Sequence, residues 1–185
     1  MSNGTLNNRR IAKNTIYIYL RTLVVLFVSL YTSRIVLEVL GAEDYGIYTV
    51  VGGIIALMGF FQAAQSKSTS RFITYELGKN GIGESLKKVF SAAFTIHVLM
   101  ALIAIVICET IGLWIVYHWT KIPPDRMTAA IIVYQFSILV FVIHLIRIPY
   151  DSVVIAHEEM SIFAYFSIIE VVLQLLLVWM IKYIN

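Results

Sequence analysis

Charged residues are scarce in this sequence. Asp, Glu, Lys and Arg make up 14% of the 185 residues, whereas soluble domains contain about 25%. The net charge of +3 comes from a few dispersed residues and not from dense basic patches, which excludes a typical nucleic-acid-binding protein and predicts no nucleic-acid partner. The single cysteine, Cys108, excludes an internal disulfide.

Motifs for catalysis and cofactor binding are also missing. The sequence has no phosphate-binding glycine loop, no nucleotide-binding fingerprint, no cysteine cluster and no serine flanked by the glycines of a nucleophile elbow. His157-Glu158-Glu159 resembles the start of a zinc-protease helix motif, but Ser161 stands where the second histidine is needed. The sequence therefore predicts no enzyme, no catalytic residue, no cofactor and no metal site.

Hydrophobic residues make up 59% of the chain. Three runs of 20 residues carry no charged side chain, namely Ile47–Ser66, Val89–Cys108 and Met127–Ile146, and two further apolar segments contain isolated charges. About 20 apolar residues suffice to cross the hydrocarbon core of a bilayer. We therefore expect an all-α, polytopic membrane protein in which residues 1–185 form a single domain. The expected bundle of about five transmembrane helices covers residues 14–40, 47–77, 85–119, 124–157 and 160–184.

Glycine and proline mark the expected helix ends. Gly41 and Gly46 bound a predicted tight turn between the first two helices, and Gly78 is expected to close the second helix. Pro149 is expected to kink or end the fourth helix. Small residues also form a stripe along the second helix, which predicts close backbone packing; they are Gly52, Ala56, Gly59 and Ala63.

Basic residues in the short loops indicate the orientation of the chain. Nine Lys and Arg residues fall on the side of the N-terminus and three fall on the opposite side. Because basic loops are retained in the cytoplasm, the N-terminus is expected there, and an odd number of spans places the C-terminus outside.

The few charges within the spans each require a partner, a wet cavity or a route to the membrane surface. Arg34 and Glu38 are four residues apart on one helix face, as the members of an ion pair would be. Two interpretations stay open for them: both side chains snorkel from the last turns of the helix, or Arg34 lines a polar cavity. Arg21 is likewise either an interfacial anchor or a cavity residue that contacts phosphate.

Glu170 is the most informative single residue. It stands ten residues into the last span, about 15 Å deep, from where a glutamate cannot snorkel. We expect it to be protonated, paired or facing a wet cavity; the alternative is a neutral glutamic acid that holds helices together. Weaker candidates, whose simplest role is a hydrogen bond across the bundle, are His97, Glu109, Gln135 and His144.

Five segments, in this order along the chain, carry a resemblance to bacterial polysaccharide-biosynthesis flippases. RIVLEVLG at residues 34–41 and EDYGIY at residues 43–48 resemble the first outer turn of that family. QSKSTSR at residues 65–71 resembles the end of its second helix. IPYDSVVIAHEEM at residues 148–160 and FAYFSIIE at residues 163–170 resemble its hairpin between helices 4 and 5. The family transports O-antigen or capsule repeat units and is related to multidrug and toxin extrusion transporters.

The resemblance implies two six-helix halves around a central cavity that opens alternately to each side of the bacterial inner membrane. The implied cargo is an oligosaccharide on an undecaprenyl-diphosphate carrier, with Arg21, Arg34 and Arg71 as candidate residues for the diphosphate. Glu38 and Glu170 are the candidates for coupling transport to H⁺ or Na⁺. The implied partners are the lipid-linked oligosaccharide, membrane lipids, a polysaccharide polymerase and glycosyltransferases.

The length departs from the family, because five spans correspond to an N-terminal part of its first half. We therefore expect either a fragment of a longer reading frame or a chain that associates with something else to enclose a path. Two other functions stay open: a cation or drug exporter of the same fold, and a non-transporting scaffold that organises glycosyltransferases in the membrane. Against the exporter, cavities that recognise cations favour acidic residues, whereas the first helix carries two arginines.

Overall fold

The computed structural model describes the backbone of residues 2–184 and the side chains of residues 12, 14–180, 182 and 183. This part of the chain is helical and contains no β-strand. The helices are α1 (Ser2–Ala56), α2 (Gly59–Asn80), α3 (Glu84–Ile107), α4 (Leu113–Trp119), α5 (Met127–Ala156) and α6 (Met160–Ile184). A π-helical turn, Cys108–Gly112, joins α3 to α4, and a 3₁₀ turn, Pro124–Arg126, precedes α5.

Four helical stretches of the described chain are long and apolar enough to cross a membrane: Asn14–Asn80, Glu84–Trp119, Pro124–Ala156 and Met160–Met180. The first contains 67 residues and corresponds to the first two predicted spans. As a straight helix it would measure about 100 Å, roughly three times the thickness of the hydrocarbon core. The chain is thus an all-α polytopic membrane protein, as the sequence predicts.

Gly41 breaks α1 into two arms. Its φ of 76° and ψ of 171° lie outside the helical region, in a conformation that residues with a side chain rarely adopt. The sequence predicts a turn from Gly41 to Gly46, but only Gly41 leaves the helix, and the backbone is helical again from Ala42. We call the residues before Gly41 the first arm of α1 and the residues after it the second arm.

The second predicted span is interrupted near its middle. The helical hydrogen bonding changes at Leu57 and Met58, where the Met58 amide donates to the Ile55 carbonyl at 2.9 Å, as in a 3₁₀ turn. The predicted end of this span at Gly78 is wrong, since α2 continues to Asn80. The Gly81 amide closes α2 by donating to the Leu77 carbonyl at 3.0 Å.

Contacts within the chain group these helices into two compact units. One unit joins the first arm of α1 to α6. The other comprises Gly46–Ala156, and so contains the second arm of α1 from Gly46 onward and α2 to α5. The expectation of a single domain stays a prediction.

The core of the Gly46–Ala156 unit lies along α5, which packs on both α2 and α3. The buried residues of α5 recur every three or four positions, so they form one face of the helix. They are Ala130, Tyr134, Ile138, Phe141, Leu145, Ile148, Pro149 and Ser152. The helix continues through Pro149, so of the predicted kink or end the end is wrong, and beyond it Ser70 Oγ donates to Ser152 Oγ at 3.0 Å.

The π-helical turn is where α5 approaches α3 closely. The Leu113 amide donates to the Cys108 carbonyl, five residues back, and the Tyr134 hydroxyl donates to the same carbonyl oxygen at 2.8 Å. A Cβ atom at Gly112 would overlap the Tyr134 hydroxyl oxygen and lie 3.1 Å from Cζ. The ring of Tyr134 therefore packs where only a glycine leaves room.

Candidate functional site

The first arm of α1 and α6 run parallel to each other. At one end the Asn14 side-chain amide donates to the Glu158 carbonyl at 3.1 Å, and towards the other end Lys182 Nζ donates to Glu38 Oε2 at 3.0 Å. Both pairs are separated by 144 residues in sequence, so the two helices keep one register over this length. The parallel arrangement agrees with the first and last of five alternating spans.

Arg21 lies on the side of α1 that packs towards α6. The partly or fully buried residues of this arm recur every three or four positions and include Asn14, Tyr17, Arg21, Val28, Thr32 and Ile35. Arg21 is half-buried, and no described residue gives it a hydrogen bond or an ion pair. In the same region the rings of Tyr17 and Tyr165 lie 6.4 Å apart. The structure thus places a guanidinium without a carboxylate partner beside the helix contact.

Arg34, Glu38 and Lys182 form a cluster at the opposite end of the pair. Arg34 Nε donates to Glu38 Oε1 at 3.1 Å, which is the ion pair that the four-residue spacing indicates. Lys182 Nζ donates to Oε2, the other oxygen of the Glu38 carboxylate. Two cations share one carboxylate, so the cluster keeps a net positive charge. The Arg34 side chain is 75% exposed and Glu38 is 44% exposed.

Aromatic side chains surround this charged cluster. A cavity of about 300 Å³ is lined by Tyr31, Ile35, Trp179, Lys182 and Tyr183. The rings of Trp179 and Tyr183 lie 4.4 Å apart. Trp and Tyr are enriched where a helix leaves the hydrocarbon core, which places this end of the pair at a membrane surface.

Glu170 is exposed on α6, beside the residues that this helix buries. The buried residues are Ala164, Ser167 and Val171. Glu170 makes no hydrogen bond or ion pair with another residue of the described chain, and Gln174, one turn further, is also exposed. A charged group in hydrocarbon is unfavourable by several kcal/mol. Its polar surroundings must therefore come from outside the α1–α6 contact.

The Gly46–Ala156 unit contains a groove of about 680 Å³ between the second arm of α1 and α5. Its polar lining includes Thr49, Gln62, Ser137 and His144, and Gln62 Nε2 donates to the Phe141 carbonyl at 3.3 Å. The small residues Gly52, Ala56 and Gly59 line it too. The sequence predicts close packing on this stripe, but a Cβ atom at Gly52 or Gly59 would meet nothing within 4 Å. These glycines line open space and not a helix contact.

Arg71 is the third arginine predicted to contact the diphosphate, and it belongs to the Gly46–Ala156 unit. It is exposed on α2 beside Lys67. Arg21 and Arg34 belong to the other unit and lie thirteen residues apart, which is about 20 Å along the helix. Within the α1–α6 unit, Arg21 and Arg34 are thus too far apart along the helix to share one site.

The weaker sequence candidates have mixed outcomes. Gln135 Nε2 donates to Glu109 Oε2 at 3.2 Å, so the predicted bond between the third and fourth spans is confirmed. His97 is buried, with Nδ1 2.7 Å from the Ala93 carbonyl, and Nε2 has no hydrogen-bond partner. His144 lines the groove. Among the described side chains, no three His, Cys, Asp or Glu residues are grouped to hold a metal ion.

Sequence reasoning missed Lys182 as a member of the charged cluster. Its only visible signal is its place in the last turn of the last span, at the same end as Glu38. The pairing with Glu38 depends on the register of two helices 144 residues apart, which one sequence does not show.

Comparisons with known proteins leave the family open. No protein-family model matches this chain, and the searches of curated proteins and of solved structures found no match either.

Proposed function

We propose that this chain is part of a membrane flippase that moves a lipid-linked oligosaccharide from one leaflet to the other. The observation that carries the proposal is the spread of charged groups along the α1–α6 pair. Arg21 lies near one end without a partner among the described side chains, Glu170 lies near the middle, and the Arg34 cluster lies at the other end. Glu170 needs polar surroundings that the two helices do not supply, and a water-filled path along the pair would supply them and connect Arg21 with the Arg34 cluster.

The two ends of the pair suit successive contacts with one anionic group. Arg21 and Arg34 are too far apart to hold the same diphosphate at once, so the cargo meets them in turn. Arg21 has no carboxylate beside it and attracts the diphosphate strongly. At the other end Glu38 neutralises one of two cations, which leaves an attraction weak enough for release. The oligosaccharide would travel in the aqueous path while its lipid carrier stays in the bilayer.

The remaining assignments belong to the same proposal. Glu170 and Glu38 exchange H⁺ or Na⁺ during the cycle, and Arg71 contributes a further positive charge on the route of the cargo. The protein resides in a bacterial cytoplasmic membrane with its N-terminus in the cytoplasm. Glycosyltransferases supply the cargo before it is moved, and a polymerase uses it afterwards. The resemblance of residues 34–48, 65–71 and 148–170 to flippase segments supports these assignments.

The test is allele replacement in the source organism, in the complete reading frame. Arg34→Gln and Glu170→Gln are expected to reduce surface polysaccharide and to cause lipid-linked repeat units to accumulate on the cytoplasmic face. Lys87→Gln, which removes an exposed charge at the start of α3, is the matched control and should leave both quantities unchanged. Immunoblots of membranes confirm equal amounts of each variant.

The competing functions give different results in the same strains. A scaffold predicts normal surface polysaccharide in both variants at normal expression, and that result would refute the flippase. A cation or drug exporter predicts unchanged polysaccharide together with increased sensitivity to cationic compounds in Glu170→Gln.

A further inference from the structure

An open pocket lies on the exposed side of α2. It has a volume of about 640 Å³ and is lined by Lys67, Ser68, Arg71, Phe72 and Tyr75, which we call the α2 pocket. These positions recur along one side of the helix over a little more than two turns. The lining therefore combines two cations, a hydroxyl group and two aromatic rings.

The two cations of the α2 pocket have no anionic partner among the described residues. Lys67 and Arg71 stand four residues apart, a spacing at which like charges repel each other on a helix. Glu76 is the only carboxylate of α2, and it accepts hydrogen bonds from Asn80 Nδ2 at 2.6 Å and from the Ser85 hydroxyl. An anion between Lys67 and Arg71 would turn this repulsion into attraction.

The depth of the α2 pocket matches the headgroup layer of a bilayer. Lys67 is the first charged residue after the apolar run Ile47–Ser66, so it marks the edge of the hydrocarbon core. Arg71 follows about 6 Å further along the helix. The headgroup layer on each side of a bilayer is itself about 5–8 Å thick. Phe72, about 7.5 Å beyond Lys67, is exposed at this level, where aromatic residues are enriched.

We propose that the α2 pocket binds the phosphate headgroup of an anionic lipid of the surrounding membrane. The Lys67 ammonium and the Arg71 guanidinium donate to the phosphate oxygens, and the Ser68 hydroxyl adds a third donor. Phe72 and Tyr75 follow Lys67 on α2, so they bound the site on its aqueous side. The site shares Arg71 with the proposed route of the cargo, but it does not rest on transport, because the bound lipid stays in its own leaflet.

The test measures lipid binding to the purified full chain in detergent micelles by native mass spectrometry. The probes are phosphatidylglycerol and phosphatidylcholine with identical acyl chains. The chain is expected to bind one phosphatidylglycerol in preference to phosphatidylcholine. Because each basic residue near a membrane surface contributes about fivefold to such binding, Lys67→Gln/Arg71→Gln should weaken the preference roughly 10- to 30-fold.

Lys87→Gln/Lys88→Gln is the matched control. It removes the same charge from exposed residues that directly precede the apolar run beginning at Val89, so they lie at a comparable depth but do not line the α2 pocket. An equal loss of binding in the control would overturn the proposal, because the effect would then follow net charge. Full displacement of phosphatidylglycerol by an equal concentration of inorganic phosphate would also overturn it, since the site would then be one for free phosphate.

A second measurement does not depend on any variant. In nanodiscs, acetylation of lysines by an amine-reactive ester is expected to be several-fold slower at Lys67 with phosphatidylglycerol than with phosphatidylcholine. Lys87 and Lys88 should react at the same rates in both lipids. Equal protection of all three lysines, or of none, would contradict a site in the α2 pocket.

Discussion

Replacement of Gly112 by alanine tests the contact between the π-helical turn and α5. The new methyl group would overlap the hydroxyl oxygen of Tyr134, whose side chain is completely buried and has no route to solvent. Overpacking of this kind costs about 1–3 kcal/mol, and loss of the hydrogen bond to the Cys108 carbonyl adds about 0.6 kcal/mol in a membrane. The higher helix propensity of alanine compared with glycine offsets about 1 kcal/mol of this loss. The expected net loss of stability is about 0.6–2.6 kcal/mol.

Cys108 provides the assay, because it is the only cysteine of the chain and is 3% exposed in the same turn. A thiol-reactive maleimide labels it only when α3 and α5 separate, so the labelling rate in micelles follows the open population. For Gly112→Ala the rate should rise roughly 3- to 70-fold, since 1.4 kcal/mol corresponds to a factor of ten.

Two further variants decide whether the overlap with Tyr134 is the cause. Gly112→Ala/Tyr134→Phe removes the overlapping oxygen and should label more slowly than Gly112→Ala alone. Gly53→Ala is the control, because a Cβ atom there meets nothing within 4 Å, and its labelling rate should not rise. An unchanged rate in Gly112→Ala, or no rescue by Tyr134→Phe, would show that the described contact does not set the stability of this turn.

Two other predictions concern the α1–α6 unit. Glu158 has a φ of 56°, a conformation that glycine adopts easily and a β-branched residue does not. Glu158→Gly should therefore be tolerated, whereas Glu158→Val should lower stability by more than about 1 kcal/mol in thermal unfolding. Equal effects of the two substitutions would contradict this backbone conformation. In a Cys108→Ser background, cysteines at Glu38 and Lys182 should cross-link efficiently with a short bifunctional reagent. Cysteines at Asn14 and Lys182 should not cross-link, because Asn14 lies 24 residues, about 36 Å, from Glu38 along the helix. The reverse pattern would refute the parallel register.

Local features of the molecule were predictable from the sequence because local geometry decides them. A positive φ at Gly41 follows from a glycine between two apolar runs. The ion pair of Arg34 with Glu38 follows from their four-residue spacing on a helix. The extent of the break, a single residue and not six, was not predictable, since Ala42 onward is compatible with either a turn or a helix.

Long-range features were not predictable, because they depend on which helix faces meet. The sequence placed Glu170 at mid-depth but did not show that it is exposed beside the α1–α6 contact. It also did not show that the stripe with Gly52 and Gly59 lines a groove, whereas Gly112 receives the ring of Tyr134. Glycine thus has a different role at these positions, depending on which side chains pack beside it.

The shortage of charge and the length of the apolar runs determined by themselves that this is a helical membrane protein. The reason is that a helix must be long and apolar to cross a bilayer, and both properties can be read directly from a sequence. Only the tertiary structure decided which charges have partners. Lys182 reaches Glu38 because α1 and α6 share a parallel register, whereas no described residue pairs with Arg21 in that same contact. Register results from the packing of side chains far apart in the chain, and hydropathy does not encode it.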